Sequence, residues 1–259
     1  MRLPWEVIMS SNKELAVVVG ATGAFGQAIV ARLCASGLDV VAVARSAAAI
    51  DALASRHPGV VACVADIASD TAIEQIAAVL DRPVRMIVHG PGVAVAGGIL
   101  DAPTSALVDA VNIKVGGLLR LVRAVDGRLV KGSRLVAIGG HYGFEPTAYA
   151  AAPGVANAAL ANATRQLSLV YGARGITAHL IAPGPSDTER LHRVAADRAA
   201  LRGITTEAVL AEMCAESSIG ALTTPEQVAW AVSLLLAPEA DAMTGSTLML
   251  DSGRRRGLP

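Results

Sequence analysis

Residues 17–30 read VVVGATGAFGQAIV: a β-branched run, a turn holding Gly20, Gly23 and Gly26, and then the opening of an apolar helix. Glycines in such a turn let the backbone reverse tightly, let a pyrophosphate come close, and let the helix pack on the strand. The helix N-terminus behind them offers free N–H groups to the phosphates. Thr22 and Phe25 sit in the same turn and count with it as candidate cofactor contacts. A glycine trio after the first strand of an alternating chain predicts a dinucleotide-binding βα unit.

The rest of the chain continues that alternation. LAVVVG (15–20), DVVAVA (39–44), VVACVA (60–65), VRMIVH (84–89), SRLVAIG (133–139), GITAHLIA (175–182) and STLMLD (246–251) are short runs bounded by turn residues. Ala/Leu-rich helical stretches lie between them. One runs over 26–36 and is closed by Gly37; another runs over 225–236, opened by Thr224 as N-cap with Pro225 at N1. Right-handed crossovers then predict an α/β fold: a single-domain, Rossmann-type, doubly wound parallel sheet of seven strands, order 3-2-1-4-5-6-7, with helices on both faces. Residues 14–259 form that domain and 1–13 an N-terminal extension, with Met9 an alternative start to Met1.

Composition narrows the function. Basic and acidic side chains both total 22 of 259 residues, so no electrostatic case exists for nucleic acid or an anionic membrane. A small-molecule substrate is the expected partner. The apolar fraction of 53% comes in short runs, well below membrane-spanning length. Cys34, Cys63 and Cys214 are scattered without CxxC spacing, which argues against a disulfide framework or a metal site and fits a reducing cytoplasm.

The second strand ends in VAVARSA, with Ala44 where an NAD enzyme would carry a carboxylate and Arg45 beside it. Arginine can pair with a 2′-phosphate, which favours NADP(H) over NAD(H); as a residue opening a helix it would simply be solvated. Asp66, after strand three, suits the adenine amino group and equally suits a helix N-cap.

Together these residues resemble the short-chain dehydrogenase/reductase family, from about residue 14 to residue 253. The specific matches are G20-x-x-G23-x-x-G26, VNIKVGG with Asn112, PGPSDT at 183–188, and MTGSTLMLDSG near the C-terminus. The resemblance implies hydride transfer between a nicotinamide and a small carbonyl or alcohol. It places Asp66 and Ile67 near adenine, and His89 and Gly90 after strand four, where the family's NNAG reads HGPG. Pro183, Gly184 and Thr188 would hold the nicotinamide carboxamide. It further implies a homodimer or homotetramer built on helices 104–126 and 153–171, and a substrate-binding lid over 189–218.

The family's chemical centre is a tyrosine, a lysine four residues later, a serine and an asparagine. Asn112 and Tyr149 match, but Pro153 stands at the lysine position and Gly139 or Gly140 at that of the serine. Proline lacks an N–H and clashes with the carbonyl four residues back, so the helix is expected to start here, with Ala152 near the N-cap and Pro153 at N1. Tyr149 then lies on the incoming loop. No lysine follows it, since the chain has only Lys13, Lys114 and Lys131. Without a neighbouring cation its phenol should titrate near about 10. Lys114 is two residues from Asn112, hence about 200° around the helix, and is expected to be solvated if Asn112 faces the site. His141, with Tyr142, is a candidate general acid/base, although both His89 and His141 can serve as structural hydrogen-bonding residues. An altered proton relay, a catalytically silent relative and a non-redox enzyme on the same scaffold all remain open. Arg190, His192 and Arg193 on the lid could meet an acidic substrate or form a wet helix face.

Overall fold

The computed structural model of the chain describes residues 13–257, so the expected extension lies, apart from residue 13, outside the described residues. Seven parallel strands form one sheet in the order β3-β2-β1-β4-β5-β6-β7, as the alternation predicted. They are β1 (Leu15–Val19), β2 (Asp39–Ala44), β3 (Val60–Val64), β4 (Val84–His89), β5 (Leu129–Ile138), β6 (Thr177–Pro183) and β7 (Thr247–Leu250). The helices are α1 (Ala24–Ala35), α2 (Ala47–Ala54), α3 (Thr71–Ala77), α4 (Thr104–Val111), α5 (Gly117–Val125), α6 (Ala151–Tyr171), α7 (Glu189–Arg202), α8 (Thr206–Ala215) and α9 (Pro225–Leu234).

Strand periodicity divides the core. Leu15, Val17 and Val19 of β1 point to the face covered by α3, α5 and α6, where Leu118, Leu121 and Leu160 are fully buried. Ala16 and Val18 point to the other face, under α1, α2 and α9, against Ile29, Leu33, Leu53 and Val232. All five β1 residues are buried, as a central parallel strand requires. Each large aliphatic side chain buried this way stabilises the fold by about 1.5–3 kcal/mol.

Local signals explain the element ends. Gly37 turns at φ +88° after α1, and α9 opens with a Thr224–Gln227 capping box and Pro225 at its start. β5 begins four residues before the expected 133. Gly132 bends the early part at φ +87° while its N–H donates to Gly175 O at 2.8 Å.

Two departures shape the site. Helix α6 begins at Ala151, with Ala150 as N-cap and Pro153 third in the first turn rather than first. The first helical bond is Gly154 N–H to Ala150 O at 3.0 Å. Pro153 would have used the carbonyl of Tyr149, which lies outside the helix, so the missing donor and the ring cause no conflict. The stretch expected as one helix over 104–126 is interrupted between α4 and α5 by a π-helical turn, Asn112–Gly116, whose Gly117 cap donates back to Asn112 O.

Candidate active site

A cleft of about 890 Å³ opens at the C-terminal ends of the strands, the usual ligand position in an open α/β sheet. The turn between β1 and α1 forms one wall. Gly20 takes φ +81° and lies against Pro91, where a Cβ would come within 3.1 Å of the Pro91 nitrogen. A Cβ at Gly26 would stand 2.2 Å from Gly20 O, so only glycine lets α1 approach the strand. Gly23 is the N-cap of α1 and supplies no side-chain cap, leaving the first-turn N–H groups to the cleft. Thr22 and Phe25 line the same wall.

Arg45 enters the cleft from the end of β2. Asp66 lies at the cleft edge and accepts from Ala68 N–H at 3.1 Å, closing a turn. The N-cap of α3 is Asp70 instead. Ile67, Gly90, Pro183, Gly184 and Thr188 also line the cleft, and Thr188 caps α7.

His89 does not reach the cleft. It ends β4 wholly buried, with Nε2 3.0 Å from Ile113 O. Burial, reinforced by Lys114, pushes the imidazole down to about 3, so it is neutral. It packs behind the wall against Gly117, where a Cβ would lie 2.7 Å from its Cε1.

The π-helical turn reverses the expectation for the next pair. Asn112 turns away from the cleft: its Nδ2 donates to Ala68 O at 3.0 Å and its Oδ1 accepts from Arg120 at 2.9 Å. Lys114 turns in. It is only 4% exposed, lines the cleft, and donates from Nζ to Ile138 O at 2.8 Å. Burial, with Arg190 adding repulsion, lowers its ammonium to about 8. The two residues do face apart, but the cleft receives the lysine.

On α6, the positions that line the cleft one turn apart are Pro153 and Asn157. Asn157 is 5% exposed, and its Oδ1 has no partner among the described residues. Its amide fills the space beside Gly140, where a Cβ would meet Nδ2 at 2.9 Å. The missing serine and the asparagine are therefore linked by sterics.

Tyr149 lies in the loop before α6, 39% exposed, and its hydroxyl hydrogen-bonds that of Tyr142 at 2.7 Å. The cation the sequence lacked nearby comes from the lid, where the Arg198 guanidinium of α7 sits 4.7 Å from the Tyr149 ring centroid. Burial works to raise this phenol, but the Tyr142 bond and Arg198 outweigh it and leave Tyr149 below its ordinary value. Burial, with the Tyr149 bond, raises Tyr142 instead. His141 stacks on Tyr142 with ring centroids 4.1 Å apart. Its burial, aided by Arg254, lowers it to about 4, so it is a neutral imidazole at pH 7 rather than one poised to exchange protons there.

Helix α7, in the segment expected as a lid, is tied to the loop after β4 by Arg190, which donates to Val93 O at 2.6 Å. His192 points elsewhere, to Asp187 at 2.7 Å. Arg198 and Asn157 escaped the sequence reading. A helical count of four from Pro153 could have found Asn157, but nothing local marks Arg198. Among the described residues no group of three metal-ligating side chains exists and no helix is long and apolar enough to cross a membrane.

Comparison with known proteins agrees with this architecture. The sequence profile of the enoyl-(acyl carrier protein) reductase family matches residues 20–255. The short-chain reductase protein NovJ of Streptomyces niveus is 30% identical, over 94% of this chain and 95% of its own. The 3-oxoacyl-(acyl-carrier-protein) reductase FabG of Pseudomonas aeruginosa is 29% identical, over 95% of this chain and 98% of its own. Among solved structures, an actinorhodin polyketide ketoreductase variant with NADPH superimposes with a TM-score of 0.85 at 25% identity, covering 93% of this chain and 97% of that one. A profile spanning nearly the whole sheet, with the glycine turn at its first crossover, means that the chain belongs to the short-chain dehydrogenase/reductase family.

Proposed function

We propose that the chain is an NADP(H)-dependent oxidoreductase acting on a small carbonyl or alcohol, with a proton relay rebuilt from other residues. The observation that carries this reading is the cradle: the Gly20–Gly26 turn, the bare N-terminus of α1 and Arg45 at the end of β2. These residues fit a dinucleotide. A backbone without Cβ atoms admits a pyrophosphate, and Arg45, which has no side-chain partner among the described residues, suits a 2′-phosphate. The NADPH carried by the related actinorhodin ketoreductase supports the same cofactor here.

Bound in that cradle, the nicotinamide supplies or accepts hydride. This chain's own residues must then handle the proton. The helical positions of α6 that line the cleft one turn apart are Pro153, at the lysine position of the family pattern, and Asn157, neither of which holds a transferable proton at neutral pH. Lys114 Nζ holds one at the end of β5, close enough to neutrality to give it up at modest cost. The Tyr142–Tyr149 pair holds another, with Arg198 favouring the phenolate of Tyr149. In the direction of reduction, the oxygen of the substrate carbonyl takes a proton from this cluster, and solvent at the cleft mouth restores it.

An NADPH-oxidation screen over a panel of ketones and aldehydes tests the reading. Turnover should appear, and Lys114→Met or Tyr149→Phe should lower it by about 10²- to 10⁴-fold. Tight NADPH binding with no turnover across the panel refutes it and supports a silent cofactor-binding relative, the reading that Pro153 and Asn157 favour. We take the protein to assemble as a homodimer or homotetramer through the helices of 104–126 and 153–171, where α4 exposes Val108 and α6 exposes Val155, Leu169 and Val170. A monomeric mass by light scattering refutes that assembly.

A further inference from the structure

The chain is electrically balanced overall, but its cleft is not. Arg45, Lys114, Arg190, Arg193, Arg198 and Arg254 line it against Asp66 and Glu189, and of these cations Arg254 is neutralised by an ion pair with Glu216 outside the cleft. Arg45 and the glycine turn answer the phosphates of the cofactor. The excess at the lid end has no such explanation.

Helix α7 shows the contrast on one element. Its cations outside the cleft are neutralised: Arg202 pairs with Glu212, and His192 lies against Asp187. Among the described residues, Arg190, Arg193 and Arg198, which line the cleft, have no carboxylate within ion-pairing distance. Arg190 is occupied with Val93 O. Arg198 is held in place by stacking on Tyr149, beside the proton-holding cluster. A guanidinium already fixed in orientation gives up little side-chain freedom when it takes a ligand. Beside Tyr149 lies a second cavity of about 260 Å³, which shares His141, Tyr142, Tyr149 and Arg254 with the cleft but is charge-balanced, with Glu145 and Glu216 set against Arg254 and Arg256, so the cation excess stays in the cleft. Thr147 Oγ1 in its wall is buried with no partner among the described residues.

We infer that the substrate is an oxo acid, a carbonyl compound whose carboxylate is gripped by Arg193 and Arg198 of the lid helix. The inference rests on the oxidoreductase reading and names its substrate class. A carboxylate matches the planar fork of a guanidinium, and arginines without a carboxylate partner in the wall of a cleft discriminate against a neutral isostere. The grip would set the carbonyl beside Lys114 and Tyr149.

The test is calorimetric titration of the NADP⁺-saturated protein with pyruvate, levulinate and phenylpyruvate, each beside its methyl ester, at low ionic strength. At least one acid should bind about 10- to 100-fold more tightly than its ester. Arg198→Ala and Arg193→Ala should each reduce that preference, Arg198→Lys should keep part of it, and Arg202→Ala, on the outward face, should leave it intact. Equal binding of acid and ester in every pair, no acid binding to NADP⁺-loaded protein, or an undiminished preference in the Arg193→Ala/Arg198→Ala double variant would overturn the inference. Failure of NADP⁺ itself to bind would sink the oxidoreductase reading instead, and the acid and ester titrations of the cofactor-free protein would then decide the arginine grip by the same criterion.

Discussion

Replacing Lys114 with methionine removes an ammonium from the cleft while keeping nearly the same chain length. Burial holds that ammonium at about 8 against its ordinary 10.5. The fall of about 2.5 pH units corresponds to about 3 kcal/mol by which the folded state disfavours the charged form at neutral pH. Methionine relieves that cost but leaves Ile138 O without its donor, a loss of about 1–2 kcal/mol. The expected net is a gain of about 1–2 kcal/mol, or a rise of a few °C in Tm for a chain of this size, together with lost turnover. The pH dependence gives an independent check. With the folded value lowered, the unfolded chain retains a proton between about 8 and 10.5 that the folded protein has released, so wild-type stability rises through that window and the methionine variant lacks this rise. Urea unfolding of both proteins at pH 7 and pH 10 should therefore show the variant ahead at pH 7 and its lead shrinking at pH 10. A variant less stable than wild type at pH 7, or a lead that does not shrink, refutes the reasoning.

Arg45→Ala should weaken NADPH about 10- to 100-fold and leave NADH nearly unchanged, as read by fluorescence titration; equal losses for both would remove the 2′-phosphate from the argument. His89, His141 and His179 sit at about 3, 4 and 4 in the folded protein against an ordinary 6.5. The unfolded chain protonates first, so stability is complete above 6.5 and falls by about 1 kcal/mol per pH unit per histidine between 6.5 and about 4. A urea midpoint that holds steady between pH 7 and pH 4.5 contradicts this. Gly140→Ser should destabilise by about 1–3 kcal/mol against the Asn157 amide, and adding Asn157→Ala should recover part of that loss. A double-mutant cycle with purely additive penalties would show that the two positions do not clash.

The scaffold was legible because its determinants are local. Seven short apolar runs set the strands, the glycine turn set the first crossover, and Thr224 with Pro225 set the start of α9. The residues expected around the glycine turn line the cleft, except His89, whose side chain points behind the wall rather than into it. The catalytic end was less legible because packing decides it. A regular helix places residues 112 and 114 on opposite sides, but which of them faces the cleft depends on how the segment seats between α3 and α6. Pro153 correctly announced a helix start, yet tolerance of proline throughout the first turn left its position uncertain by two residues. Arg198 reaches Tyr149 from 49 positions downstream, a pairing that only the packing of α7 beside the loop before α6 creates.

The π-helical turn at Asn112–Gly116 has an evolutionary reading. A turn of this kind is one residue longer than the α-helical turn it replaces, so it behaves as an insertion absorbed within a single helix. α4 and α5 keep their own packing on either side, which makes the inward lysine a detachable part: deletion of one residue would restore an unbroken helix and dispense with the cleft's buried cation. Such a deletion would leave the glycine turn between β1 and α1, which belongs to a different crossover, as it is.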